Sequence, residues 1–113
     1  MDNIIVMDVH TKHIIEKIRE TASQSVPLGG NVFLYGSRAR GDAKEDSDWD
    51  LLVVVDGDSV VNDDYDRITY PITLLGWSLK ECFVPILYTR KEWEAESFTS
   101  FYNNVTNEAI QIL

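Results

Sequence analysis

Several absences narrow what this chain can be. There is one cysteine, Cys82, so no disulfide can form within the chain, and a reduced, cytoplasmic setting is expected. No basic segment followed by an apolar core opens the sequence, so a signal peptide is not expected. No apolar run is long enough to cross a bilayer, and no membrane role is expected. Positive charge is scarce: ten Lys and Arg stand against nineteen Asp and Glu, a formal net charge of −9. Duplex DNA is bound chiefly by neutralising phosphates with Lys and Arg, so such a chain is a poor general DNA binder. It can still hold one small nucleotide through metal ions, or pair with a basic protein. The two histidines, His10 and His13, have no carboxylate or cysteine pattern around them that completes a zinc site.

What is present is ordinary for a folded domain. An apolar fraction of 44% and a charged fraction of 26% argue against disorder. The length of 113 residues fits one domain, residues 1–113, with little room for a second lobe. Asp8 to about Ser25 reads as an amphipathic helix capped by Asp8, with Ile14, Ile15 and Ile18 inward and Val9 and Ala22 extending that face. Asn31–Tyr35 and Asp50–Val55 are near-continuous in apolar residues, as expected of central strands covered on both faces. Asn62 or Asp63 caps a helix towards Trp77 that Pro71 must break or kink. Cys82–Tyr88 reads as a third strand, placed at an edge because Pro85 lacks an amide donor. Thr89 caps a short helix, and a last helix is expected over Ser100–Ile112. This order predicts a small α/β sheet with helices packed against it.

The chemistry concentrates between the first two strands. Asp48 and Asp50 are two apart at a strand entrance, so their carboxylates share one face. Two facing anions cost free energy unless a cation lies between them, and magnesium suits a pair of carboxylates completed by substrate phosphates. Two such ions can clamp the attacking and leaving oxygens of a phosphoryl displacement. Gly36-Ser37 follows the first strand, where glycine lets backbone approach a phosphate and Ser37 offers its amide and hydroxyl. Arg38 and Arg40 add planar cationic forks beside that turn. Alternatively one of the two forms a surface ion pair with Asp42, Glu45 or Asp46, and Arg40 can instead brace the loop, with Gly41 permitting the following turn.

The run Gly36-Ser-Arg-Ala-Arg-Gly41, followed by Ser47-Asp-Trp-Asp-Leu-Leu-Val53, resembles the minimal nucleotidyltransferases of the DNA polymerase beta superfamily. The resemblance implies the nucleotidyltransferase fold, a small mixed sheet flanked by helices. It implies a nucleoside triphosphate, ATP first among them, held by Gly36 and Ser37, with magnesium on Asp48 and Asp50. An acceptor hydroxyl would attack the α-phosphate, AMP would be transferred and pyrophosphate released. The smallest members of that family resemble antitoxins paired with a helical toxin that cuts RNA. This implies, as alternatives to catalysis, a weakened antitoxin-type partner of a basic helical toxin, or a nucleotide sensor. A small open domain would borrow its acceptor site from another chain, which makes an oligomer an expectation too. One feature departs from the pattern: the third strand, Cys82-Phe-Val-Pro-Ile-Leu-Tyr88, carries no acid where active members place a third carboxylate, near Val84 or Pro85. Glu81 at its entrance is the nearest substitute, and without a third ligand the second ion would bind weakly.

Overall fold

The computed structural model describes residues 7–113. Helix α1 (Val9–Ser25) is capped by the Asp8 carboxylate, which accepts the Thr11 amide at 2.7 Å. Ile14, Ile15, Ile18 and Ala22 are buried along one stripe. Val9, expected on that stripe, is 84% exposed because it begins the first turn, before the helix reaches the sheet. Strand β1 (Asn31–Tyr35) leads into a single helical turn, α2 (Ser37–Arg40), and strand β2 (Trp49–Val55) follows. A helical stretch in three parts comes next: α3 (Asn62–Asp64), a widened π turn (Tyr65–Thr69) and α4 (Tyr70–Ser78). Strand β3 (Phe83–Thr89), helices α5 (Arg90–Ala95) and α6 (Ser100–Glu108), and a short strand β4 (Ile110–Gln111) complete the chain.

Pro71 explains the middle of that list. It has no N–H to donate and would crowd the carbonyl four residues back. The bond from the Tyr70 amide to the Tyr65 carbonyl widens the turn, and Pro71 then falls in the first turn of α4, where a missing donor costs nothing. Ile68 and Ile72, four apart on either side of the junction, remain buried together in the core that includes α1.

The sheet runs β3-β2-β1-β4, with β1 antiparallel to both β2 and β4 and β2 parallel to β3. β1 and β2 are central, as their apolar runs predicted, and β3 with Pro85 is at an edge. The last helix ends four residues earlier than its pattern suggested. Ala109 turns extended, and Ile110–Gln111 pairs with Leu34 and Phe33. A pairing to β1 is a long-range event that the local 3.6-residue pattern cannot register.

Alternation along β2 sorts the core onto two faces. Trp49, Leu51, Val53 and Val55 pack with α1, Ile68 and Ile72, while Leu52 and Val54 pack with Trp93 and Val105. Each fully buried Ile or Leu here stabilises the fold by roughly 1.5–3 kcal/mol relative to exposure. On the second face, Trp93 sits against Tyr88, Phe101 and Tyr102, with centroids 5.3, 6.0 and 4.8 Å away. Trp77, by contrast, is 63% exposed on α4.

Candidate active site

Most of the predicted residues gather where the end of β1 lies beside the start of β2. Tyr35, the last residue of β1, lies directly opposite Asp50 on β2, and Val84 flanks Asp50 on the other side. Trp49 is buried on the α1 face, so the pleat turns Asp50 to the other face, half-buried. Gly36 follows Tyr35 with φ +75° and ψ −159°, a backbone region almost reserved for glycine. A Cβ at this position would lie 2.3 Å from Asp50 Oδ2. Glycine is therefore needed twice, for the turn and for the space into which the carboxylate projects.

Asp48 lies one residue before β2, exposed, next to Trp49, whose amide donates to the Cys82 carbonyl at 2.8 Å. The nearby Asp48 carboxylate, and then burial, push the Cys82 thiol up from its ordinary value. The Asp50 carboxyl is also raised, first by burial, then by the charges of Asp48 and Glu108, with Arg40 pulling the other way. The phenol of Tyr35 is pushed up to about 12 by burial, with Asp50, Tyr88 and Glu108 adding to the effect. The site is thus a concentration of negative charge around one partly buried carboxylate. Hard oxygen donors that repel one another suit a divalent cation. Among the described residues no group of three or more His, Cys, Asp or Glu converges to hold a metal. Asp48 and Asp50 would therefore take the remaining ligands from substrate and water.

The two arginines have different surroundings. Arg38 reaches across the loop, its Nη2 donating to the carbonyls of Ser47 at 2.9 Å and Glu45 at 3.0 Å. Its guanidinium also lies 4.5 Å from the centroid of the Trp49 ring. It braces the segment that delivers Asp48. Arg40 stays beside the Gly36 turn, paired with Asp42 at 3.3 Å and Glu108 at 2.8 Å. The loop-bracing role expected of Arg40 thus falls to Arg38, which reaches the Glu45 and Ser47 carbonyls, while Arg40 is held by Asp42 and Glu108. Ser37 opens α2, its carbonyl accepting the amides of Gly41 and Asp42.

Glu81 is not brought to the aspartates. Its carboxylate accepts the Trp49 indole N–H at 3.2 Å and contacts His10 Nε2 at 3.2 Å. Trp49 points to the α1 face, and Glu81 follows it there. The register settles which β3 residue stands beside Asp50: it is Val84, 37% exposed.

One residue that the sequence did not single out stands at the centre. Glu108, the last residue of α6, accepts the Gly36 amide at 2.7 Å through the same Oε2 that pairs with Arg40. It is 72 positions from Gly36 in sequence, and no local pattern signals the contact. Beyond it, Tyr35 meets Phe101 of α6 edge-on, with ring centroids 5.8 Å apart.

This geometry can be set beside known proteins. A family model described as a nucleotidyltransferase domain matches residues 15–110. No curated protein matches the chain at a significant level. Among solved structures, a toxin–antitoxin with AMP-PNP superimposes with a TM-score of 0.62 at 18% identity, covering 88% of this chain and 72% of that one. A mutant of the toxin–antitoxin MntA-HpeT, with glutamate for two aspartates two positions apart, gives a TM-score of 0.56 at 16% identity. There 91% of this chain and 72% of that chain are covered. At these identities the likeness is one of fold.

Proposed function

The chain belongs to the nucleotidyltransferase domain family, and on that premise we propose that it binds a magnesium-complexed nucleoside triphosphate, ATP first among them, and transfers its nucleotidyl group to an acceptor hydroxyl. One observation carries the reading: Asp50, half-buried beside Asp48, projects into the space left by the missing Cβ of Gly36. A glycine turn and a carboxylate pair meet at one point, which is what a polyphosphate with its counter-ion requires.

Each residue then has a role. The Gly36 N–H, the Ser37 amide and hydroxyl, and the Arg40 guanidinium are donors for phosphate oxygens. Arg38 keeps the loop before β2 in place, so that Asp48 arrives next to Asp50. Asp48 and Asp50 would ligate the divalent ion that nucleotidyltransferases generally use, which, when bound, neutralises phosphate charge and polarises the α-phosphate. In the reaction the acceptor oxygen bonds to the α-phosphorus. The bond from that phosphorus to the bridging oxygen breaks, pyrophosphate departs with that oxygen, and the acceptor proton passes to solvent. Val84 brings no third carboxylate beside Asp50, so a second ion is held weakly and transfer is slow relative to binding.

The decisive test is the double substitution Asp48→Asn with Asp50→Asn. Removing two like charges that face each other leaves the fold intact, and magnesium-dependent ATP binding, read by calorimetry, is lost. Tight binding by a folded double variant would refute the reading.

A second reading is favoured by the same Val84 and by the two solved structures, each a toxin–antitoxin. On this reading the chain is an antitoxin-type partner whose value lies in binding a basic helical RNase toxin, consistent with its net charge of −9. Neutralisation of such a partner that survives removal of both aspartates favours it. Labelled AMP appearing on the partner, and lost with the aspartates, favours transfer.

A further inference from the structure

We infer that Glu108 is a resident competitor in the polyphosphate seat, a carboxylate from the C-terminal helix that must leave before a triphosphate can use the Gly36 turn. The inference rests on the nucleotide-binding reading above and specifies how that site is controlled.

The donors are the starting point. Oε2 of Glu108 takes the Gly36 N–H at 2.7 Å and Arg40 Nη1 at 2.8 Å. These are short, charge-assisted bonds to a single anionic oxygen. A phosphate oxygen is an acceptor of the same kind, drawn to the same two donors, and it cannot share the position. Retaining Glu108 would also leave a carboxylate facing an incoming polyanion beside Asp50, in a region already crowded with negative charge.

The carboxylate is placed to move. Glu108 is the final residue of α6, followed at Ala109 by extended backbone, and its side chain is 19% exposed. Its hydrogen bonds among the described residues go to this turn and to Arg40. Arg40 has a second carboxylate, Asp42, to keep it oriented once Glu108 swings away. The occupied state is therefore a closed form of the seat, and apparent nucleotide affinity falls by the fraction of molecules in which the seat is open. A built-in anion also sets a threshold. Ligands with a single weak charge do not displace it, whereas a triphosphate that brings its own cation does.

Calorimetric titration of magnesium with a non-hydrolysable ATP analogue, and of inorganic tripolyphosphate, into the unmodified chain and the Glu108→Gln and Glu108→Ala variants tests this. Glutamine has nearly the shape of glutamate without its charge. Both variants are expected to bind each probe about tenfold tighter than the unmodified chain, as a seat open in roughly a tenth of molecules requires. A variant that binds equally or more weakly overturns the inference, because Glu108 is then a passive neighbour or a positioning residue. In the unmodified chain, tripolyphosphate is expected to shift the NMR signals of the Gly36 amide and the Glu108 carboxyl carbon together. Movement of Gly36 alone also overturns it, whatever the variants do. Equal binding by all three proteins leaves the nucleotide reading standing. No binding by any of them brings down both.

Discussion

Replacing Gly36 with alanine tests the construction of the site more directly than removing a charge. The φ of +75° and ψ of −159° at Gly36 lie where a side chain costs roughly 1–3 kcal/mol. The added Cβ would also sit 2.3 Å from Asp50 Oδ2 and 3.3 Å from its Cγ. Asp50 is short and emerges from a central strand, so it must rotate away from the turn or push the turn off β1. The total expected is about 2–4 kcal/mol, or about 8–16 °C in Tm for a domain of this size. Gly41 supplies the control. It too is left-handed, with φ +85°, but a Cβ there meets nothing within 4 Å. Gly41→Ala should therefore cost only the backbone term, about 1–2 kcal/mol. Urea denaturation of the two variants reads the difference, and titration with magnesium and ATP reads its consequence: binding lost in Gly36→Ala and kept in Gly41→Ala. If Gly36→Ala is no less stable than Gly41→Ala and binds magnesium–ATP like the unmodified chain, the claim that the missing Cβ makes room for Asp50 is wrong.

Two further outcomes are expected. Glu81→Gln removes the contact with His10 but keeps an oxygen for the Trp49 indole, so it should cost less than about 1 kcal/mol and leave magnesium-dependent binding unchanged; a clear drop in magnesium affinity would place Glu81 among the ligands after all. Tyr35→Phe concerns the alkaline limb: a phenol raised from 10.0 to about 12 contributes stability that is complete below pH 10 and lost as pH rises through about 12. The variant should lose stability less steeply across that window in denaturation curves at stepped pH, and an unchanged slope would contradict the burial of the Tyr35 hydroxyl beside Asp50.

Much of this molecule was legible in one dimension because the relevant physics is local. The bounds of β1, the Asp8 and Thr89 caps, and the edge position of a strand containing Pro85 follow from periodicity, backbone sterics and donor inventories within a few residues. The widened turn ahead of Pro71 belongs to the same class: a break was required there, and only its form was open. That Arg38 and not Arg40 braces the loop was decided by the path from Gly41 to Ser47. Sequence neighbours alone pointed to Arg40, beside Gly41, for that role.

The sequence by itself determined which groups could do chemistry and the order in which the backbone would present them, since side-chain period and glycine's freedom act over short spans. Only the tertiary structure decided which distant carboxylates reach that point. Glu81, next to β3, is drawn to the opposite face by the Trp49 indole, while Glu108, at the far end of the chain, arrives on the Gly36 amide because β4 pairs with β1 and brings the end of α6 across the turn. The reason is that closing a long loop depends on the packing of the whole chain, and no run of neighbouring residues encodes where its end will rest.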